Sequence, residues 1–388
     1  MPVLEKDAPT DQTVVAGPAV TVWSRWVWAV AALTVVVRLQ FIGRPLSSDE
    51  GGFLLVASQW GPGRSLYGDY WVDRPPLLLD VFWLGDRLGG TVGLRVLGVV
   101  AAVTTVLAAA EVSRLVPAAD ACATTRRRAC ALGAATAAVF VSSPLFGALQ
   151  VDGELLAVPL VLCAIALALR ALPAPESWRR DALLAAAGAA AAASLLVKQS
   201  ELDGAVFVLV ATLTAYRRPR PVAVRALLPA AAGGAAATVL VLAHAATLGT
   251  GPRALWDAVV TFRVDAAVVI SSSATGATTS RLHLLLAALV VSGAPVLAAV
   301  SLRRAWRRRA TSPDLRWAVL AVVGWESFAV FAGGSYWLHY LIGLVPGLVL
   351  VVAWGVAGAP GGSRPRVRWI VATTAYAAAV ASAALVLA

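Results

Sequence analysis

The sequence predicts an all-α polytopic membrane protein, and its composition and hydropathy pattern carry that prediction. Hydrophobic residues make up 59% of the 388 residues and charged residues only 14%, whereas soluble domains are about 45–50% apolar and about 25% charged. The apolar residues come in continuous runs of about 20, the length of a membrane-spanning helix, and do not alternate as in a membrane β-barrel. A mean hydropathy of +0.78 over the whole chain excludes a soluble globular protein.

Eleven apolar runs are interpreted as membrane spans. They cover residues 22–42, 91–116, 130–148, 154–172, 182–198, 204–216, 226–249, 282–301, 317–332, 339–357 and 369–388. The run 204–216 is short, but the loops on either side of it require a crossing. The short run 76–88 contains three charged residues, so we predict a helix that lies on the membrane surface. Residues 22–388 then form one transmembrane domain after a disordered cytoplasmic tail, 1–21, which has no cleavable signal pattern.

The distribution of arginine predicts the orientation in the membrane. Among 32 basic residues there are 30 Arg and two Lys, Lys6 and Lys198. Nineteen of the Arg lie in or beside the connections 117–129, 173–181, 217–225, 302–316 and 358–368. Short, arginine-rich connections are typical of cytoplasmic loops, which explains these clusters better than a nucleic-acid-binding patch does. The N-terminus is then cytoplasmic, and the outer face has two sizeable loops, 43–90 and 250–281.

One alternative topology keeps the same arginines inside. If the N-terminus lay outside and 76–88 crossed the membrane, residues 43–75 would be cytoplasmic. The sequence leaves this alternative open.

Charged and aromatic side chains gather at the predicted outer ends of the spans. Asp49 and Glu50 follow span one, where Ser48 or Asp49 would also cap a helix over 50–60. Further polar positions are Arg74 before the prolines Pro75 and Pro76, Asp152 and Glu154 after span three, Lys198, Glu201 and Asp203 after span five, His244, His283, and His339 with Tyr340. A position at the membrane interface explains any one of them about as well as a function does. Lys198 is harder to explain, because the chain otherwise uses Arg.

The clustering on one face separates the functional hypotheses. A transporter or lipid flippase needs ionisable groups near the middle of the bilayer and often has internal repeats with broken helices, and neither feature is evident here. Clustering at one face favours chemistry at that face. A non-catalytic protein that binds a polyprenyl lipid is a third hypothesis that the sequence leaves open.

The order of these motifs resembles the GT-C membrane glycosyltransferases, specifically the bacterial relatives of protein O-mannosyltransferase and of lipid A aminoarabinose transferase. The matching residues are Asp49-Glu50, Tyr67, Tyr70-Trp71, Arg74 to Leu77, Leu94-Arg95, Ser143 to Phe146 before Asp152, Lys198, His339 to Leu341, and Pro346. They extend over residues 22–350 in the order that the family has. Two departures are that the family often has Lys in place of Arg74, and that many relatives carry a soluble C-terminal domain or extra spans.

The resemblance implies a GT-C-like fold and an inverting sugar transfer at the outer face of the plasma membrane. The donor would be a polyprenyl-phosphate sugar held in the bilayer, and the acceptor a lipid, a glycan or a protein. No nucleic acid is expected as a partner.

The chemistry of this transfer assigns roles to the candidate residues. A leaving phosphate needs positive charge, for which Arg74 and Lys198 are the candidates. An acceptor hydroxyl needs a general base, here Asp49, with Asp152 nearby to raise its pKa or to orient the acceptor. His339 and Tyr340 are assigned to the donor phosphate or sugar. Glu50 is assigned to the same subsite, or alternatively pairs with a cation and holds the loop.

A divalent cation is a further expectation. Asp49, Glu50, Asp152 and the three His all lie on the predicted outer side, and the carboxylate oxygens would suit Mg²⁺ or Mn²⁺. The spacing of these residues does not require a metal.

Overall fold

The computed structural model describes residues 23–357 except 68, 118–120, 215–219, 273–275 and 309–314. This part of the chain is helical and contains no strand. Its α-helices are α1 (Arg25–Leu39), α2 (Ser48–Gln59), α3 (Pro76–Arg87), α4 (Thr91–Leu115), α5 (Ala123–Ser142), α6 (Gly153–Ala171), α7 (Trp178–Val197), α8 (Asp203–Thr214), α9 (Arg220–Thr247), α10 (Pro252–Trp256), α11 (Phe262–Ser272), α12 (Gly276–Val291), α13 (Ala294–Arg308), α14 (Leu315–Ala332) and α15 (Val345–Ala357).

Six helices in the described residues are long and apolar enough to cross a membrane, and a bent pair of helices makes a seventh. The six are Thr91–Leu115, Gly153–Ala171, Trp178–Val197, Val224–Thr247, Leu315–Ala332 and Leu338–Ala357. The all-α, multi-pass membrane architecture is therefore confirmed. The count of eleven spans stays a prediction, and both the tail 1–21 and the predicted span 369–388 lie outside the described residues.

Two predicted elements differ in detail from the structure. The predicted span 282–301 is the bent pair α12 and α13, which meet at an angle of 51° beside Gly293, whose φ is +74°. The predicted outer loop 250–281 is largely helical, since α10, a π-helical turn over Asp257–Thr261 and α11 follow one another. Hydropathy alone could not show the bend, because the apolar run continues through it.

The short helix α3 forms where the sequence predicted a surface helix. Pro76 occupies its first turn, where the missing N–H costs no hydrogen bond. Leu78, Leu79 and Phe82 are buried, whereas Trp83 and Leu84 on the other face are exposed. Phe82 packs edge-on against Phe53 of α2, with 5.5 Å between the ring centroids. The first outer loop is therefore a packed structure of α2 and α3.

Charged residues lie at both ends of the helix bundle, in different segments of the chain. At the end where α4 stops and α5 begins, the Glu111 carboxylate accepts hydrogen bonds from Arg114 at 2.5 Å and from Arg170 at 2.6 Å. Arg126 of α5 lies at this end as well, where its Nη1 donates to the Arg114 carbonyl oxygen at 3.4 Å. The opposite end contains the start of α2, the turn between α5 and α6, and the turn between α7 and α8. Most of the predicted site residues lie in these segments.

Candidate active site

A small polar cleft at this second end brings together five of the seven predicted site residues. It is lined by Ser47, Asp49, Phe53, Arg74, Gln150, Val151, Asp152, Gly153, Glu154, Lys198 and His339. These residues come from five separate segments of the chain. The cleft therefore exists only because the fold brings the ends of these segments together.

Asp49 lies in the first turn of α2 and is exposed. The sequence suggested Ser48 or Asp49 as the helix cap, but the cap is Ser47. The Glu50 backbone N–H donates to Ser47 Oγ at 3.3 Å, and the Ser47 N–H donates to Glu50 Oε2 at 2.9 Å, which is a capping box. The cap therefore leaves the Asp49 carboxylate available to the cleft.

Glu50 is not among the residues that line the cleft. Its side chain is 1% exposed and pairs with Arg95 through Nη1 at 2.5 Å and Nη2 at 3.1 Å. Its Oε1 also accepts the Val151 N–H at 2.6 Å. With both oxygens occupied, Glu50 ties the first outer loop to α4 and to the turn before α6. The alternative, that Glu50 pairs with a cation and holds the loop, describes this geometry.

Asp152 is the N-cap residue of α6, and its Oδ1 accepts the Leu155 N–H at 3.0 Å. Its Oδ2 is buried and has no hydrogen-bond partner in the described part of the chain. Burial raises the pKa of the Asp152 carboxyl well above its ordinary value, and the nearby Glu154 carboxylate raises it further. Asp152 is therefore better suited to donate a hydrogen bond than to act as the base.

Glu154 is a site residue that the sequence prediction omitted. Its Oε1 lies 2.7 Å from Lys198 Nζ, and both side chains are buried. Glu154 follows Asp152 by two residues in the first turn of α6, and this acidic pair at a span end was the available signal.

Lys198 follows the last residue of α7 and is held from two sides. Its Nζ lies 5.0 Å from the centroid of the Tyr340 ring, within the range of a cation–π contact. Its aliphatic stem runs over Gly153, where a Cβ atom would come within 2.9 Å of Lys198 Cδ. The ammonium group therefore has a fixed place at the edge of the cleft.

His339 lies in the first part of a 3₁₀ turn over Leu338–Leu344 that leads into α15. Its Nδ1 lies 2.8 Å from Gln150 Nε2 and 3.9 Å from Asp152 Oδ2. Gly147, with φ +72°, permits this approach, because a Cβ there would come within 2.6 Å of the His339 backbone nitrogen. Tyr340, the next residue, faces a different cavity.

Arg74 connects the two predicted outer loops through a shared carboxylate. Its Nη1 lies 2.7 Å from Asp73 Oδ1, and Arg263 Nε of α11 lies 3.1 Å from Asp73 Oδ2. The Arg74 guanidinium also lies 5.7 Å from the centroid of the Phe53 ring. Two cations thus converge on one partly exposed acid at the mouth of the cleft.

A larger cavity of about 790 Å³ adjoins the polar cleft. Its walls are mainly apolar side chains of α11 and α14, among them Val264, Val268, Phe328 and Val330. We call it the apolar cavity. Lys198 and Glu154 line both spaces, so their ion pair forms the boundary between them. Arg263, Tyr340 and the acids Glu201, Asp203 and Glu326 also line the apolar cavity.

Three residues of the site fit a divalent cation. Ligand atoms of Asp152, Glu154 and His339 lie within 4.8 Å of one another. Asp152 Oδ2 and Glu154 Oε2 are buried oxygens without a hydrogen-bond partner in the described part of the chain. Of the ligands expected from the sequence, His244 instead lies 3.2 Å from Asp80, and Asp49, Glu50 and His283 are not in this group.

Comparison with known proteins identifies the fold. No protein-family model matches the sequence, and no curated protein matches it. The structure is similar to the crystal structure of ArnT from Cupriavidus metallidurans bound to undecaprenyl phosphate, with a TM-score of 0.58 and 17% sequence identity. The match covers 86% of this chain and 60% of the ArnT chain, so this chain spans well under two thirds of the length of ArnT. The likeness confirms the predicted GT-C-like membrane fold.

Proposed function

We propose that this protein is an inverting glycosyltransferase that moves a sugar from a polyprenyl-phosphate donor to an acceptor at the outer face of the bacterial plasma membrane. The observation that carries the proposal is the convergence of Asp49, Arg74, Asp152, Lys198 and His339 on one polar cleft beside an apolar cavity. The similarity to ArnT, whose structure contains undecaprenyl phosphate, supports this class of donor.

The two adjoining spaces match the two parts of such a donor. The apolar cavity would take the first isoprenyl units, because burial of apolar surface favours binding by about 25 cal/mol per Å². The phosphate would lie at the boundary, within reach of Lys198 and Tyr340, with Arg74 and Arg263 at the mouth. The polar cleft has a volume of only about 10 Å³, so the sugar would lie at its mouth and not inside it. The acceptor would approach from the exposed side, where Asp49 lies.

The reaction is a single displacement at the anomeric carbon. The acceptor oxygen forms a bond to C1 and its proton passes to Asp49, while the bond between C1 and the phosphate oxygen breaks and the phosphate keeps the electron pair. The phosphate changes from a monoanionic diester to a dianionic monoester. Fixed cations such as Lys198 and Arg74 therefore stabilise the transition state more than the ground state. Asp152 would hydrogen-bond a sugar hydroxyl when no metal is bound, and it would be an ionised ligand when one is bound.

A divalent cation belongs to the proposal as an additional group. Asp152, Glu154 and His339 would hold it, and when bound it would add positive charge next to the leaving phosphate. Two carboxylates and one imidazole would suit Mn²⁺ better than Mg²⁺, since Mg²⁺ prefers ligands that are all oxygen.

The distribution of buried charge gives less support to a transporter or flippase. Most buried charged side chains of the described residues lie at the end with the cleft, and a second, smaller group at the other end contains Glu111 and Arg180. Glu326 lies farther inside α14, on the wall of the apolar cavity. Ionisable groups along the path between the two ends would be expected of a transporter.

Lys198→Ala is expected to weaken binding of undecaprenyl phosphate by about 10- to 100-fold, because a hydrogen bond to a charged group is worth about 1.5–3 kcal/mol. The unpaired Glu154 carboxylate would then also repel the phosphate. Binding would be measured with the purified protein, with undecaprenol as the neutral control ligand. Equal affinities of the wild-type protein for both lipids would contradict the proposed donor, and an unchanged affinity in the variant would contradict the role of Lys198.

A labelling experiment tests the proposed orientation. A cysteine introduced by Ser65→Cys in the first outer loop is expected to react with a membrane-impermeant maleimide in intact cells. The natural Cys122, which is exposed at the opposite end before α5, provides an internal control and is expected to react only after permeabilisation. The reverse pattern would place the cleft in the cytoplasm.

A further inference from the structure

We infer that Glu154 acts as an internal counter-ion that competes with phosphate for Lys198 and thereby promotes release of the polyprenyl phosphate product. This role rests on the proposed function. It makes Glu154 a positioning residue, because it acts through Lys198 and not on the reacting atoms.

A phosphate that binds Lys198 also comes close to the Glu154 carboxylate. The ammonium lies 2.7 Å from Glu154 Oε1, with both side chains less than a tenth exposed. Gly153 beneath the stem and the Tyr340 ring beside the ammonium restrict its movement. A phosphate that binds Lys198 must therefore either displace the Glu154 carboxylate or share the cation with it.

The second carboxylate oxygen of Glu154 indicates that Lys198 is the main group that holds this side chain in place. Glu154 Oε2 is buried and has no hydrogen-bond partner in the part of the chain that the structure describes. Glu50 is the contrasting case, since both of its oxygens are occupied by Arg95 and by backbone N–H groups. Of these two buried acids, Glu50 is built into the scaffold, whereas Glu154 is held mainly by the cation that a phosphate would also use.

The change in phosphate charge during the reaction determines that Glu154 disfavours the product more than the donor. The donor phosphate carries one negative charge and the product phosphate carries two at neutral pH. Fixed cations in a buried site therefore hold the product more strongly than the donor, and a fixed carboxylate repels the product more strongly. Glu154 would also keep Lys198 paired when the site is empty, which avoids an uncompensated buried charge.

The test compares the affinity of undecaprenyl phosphate for the wild-type full-length protein and for Glu154→Gln, with EDTA present throughout so that no bound metal contributes. We expect Glu154→Gln to bind undecaprenyl phosphate about tenfold more tightly, which corresponds to about 1.4 kcal/mol. Glu154→Asp, which keeps the charge on a shorter side chain, should bind undecaprenyl phosphate only modestly more tightly than the wild-type protein, by less than about threefold. In a transfer assay, kcat and KM of Glu154→Gln should both fall.

Glu201→Gln is the matched control, because Glu201 is a buried acid on the wall of the same cavity without a cation at salt-bridge distance in the described residues. Its effect on affinity should be less than a third of that of Glu154→Gln. If Glu154→Gln unfolds, the comparison moves to Glu154→Asp, whose shorter side chain retreats from Lys198 and should tighten binding modestly.

Two results would overturn the inference: weaker binding by Glu154→Gln, or unchanged binding. A wild-type protein that binds undecaprenyl phosphate no better than undecaprenol would instead refute the proposed function. The two failures are therefore distinguishable.

Discussion

Asp49→Asn is expected to lower the rate of sugar transfer by about 10²- to 10⁴-fold, the usual contribution of a general base. The amide keeps the size and exposure of the side chain but cannot accept the acceptor proton. The rate would be measured as release of undecaprenyl phosphate from a polyprenyl-phosphate sugar by the purified protein.

The structure provides the controls for this prediction. Because Ser47 and Glu50 form the cap of α2, Asp49→Asn should leave the thermal unfolding temperature and the affinity for undecaprenyl phosphate unchanged. Asp69→Asn removes an exposed carboxylate from the same outer loop, one that accepts the Ser65 N–H, and should transfer sugar at the wild-type rate. Normal turnover by Asp49→Asn would exclude Asp49 as the base.

Arg95→Ala is expected to cause the largest loss of stability, about 3–5 kcal/mol in the free energy of unfolding. The substitution leaves the Glu50 carboxylate buried and without its cation, and it also frees the carbonyl oxygens of Pro45 and Leu149 that Arg95 contacts. Thermal unfolding in detergent would report the loss.

Two further variants separate this buried pair from an ordinary surface pair. Replacing both partners, Arg95→Met with Glu50→Leu, should recover much of the lost stability, because no unpaired charge remains. Arg64→Ala removes an exposed guanidinium that donates a hydrogen bond to Tyr70 Oη at 3.1 Å, and should leave the thermal unfolding temperature almost unchanged, because exposed charged groups contribute little to stability. If Arg95→Ala costs no more than Arg64→Ala, the pair of Glu50 with Arg95 does not hold the loop.

The sequence was sufficient to predict the fold class and most of the polar cleft. Continuous apolar runs indicate helices directly. The end of one span and the start of the next lie at the same face of the membrane, so polar motifs at these positions come to one end of the helix bundle. Asp49, Arg74, Asp152, Lys198 and His339 could therefore be grouped before any coordinates were known.

The direction of side chains could not be predicted in the same way. Asp49 and Glu50 are adjacent acids after the same span, yet one faces the cleft and the other is buried against Arg95. A rotation of about 100° per residue along α2 separates them, and the sequence does not fix the rotation of that helix against its neighbours. Glu154 was missed for a related reason, because its contact with Lys198 depends on how α6 packs against α7.

A hydropathy pattern cannot predict the apolar cavity. Its walls come from α11 and α14, which are distant in sequence from the residues of the first outer loop. Any membrane span or protein core could contain residues such as Val264 and Phe328. Their proposed role in binding the lipid comes only from their position in the wall of the cavity that Lys198 and Tyr340 also line.

The central claim is that the cleft transfers a sugar from a polyprenyl-linked donor, and mass spectrometry of envelope lipids and glycans tests it most directly. The comparison uses host cells that lack this protein, carry the wild-type chain, or carry Asp49→Asn. We predict that the first and third strains accumulate one polyprenyl-phosphate sugar and lack one glycosylated product, and that the wild-type chain restores both to normal. Identical profiles in all three strains, or full restoration by Asp49→Asn, would contradict the claim.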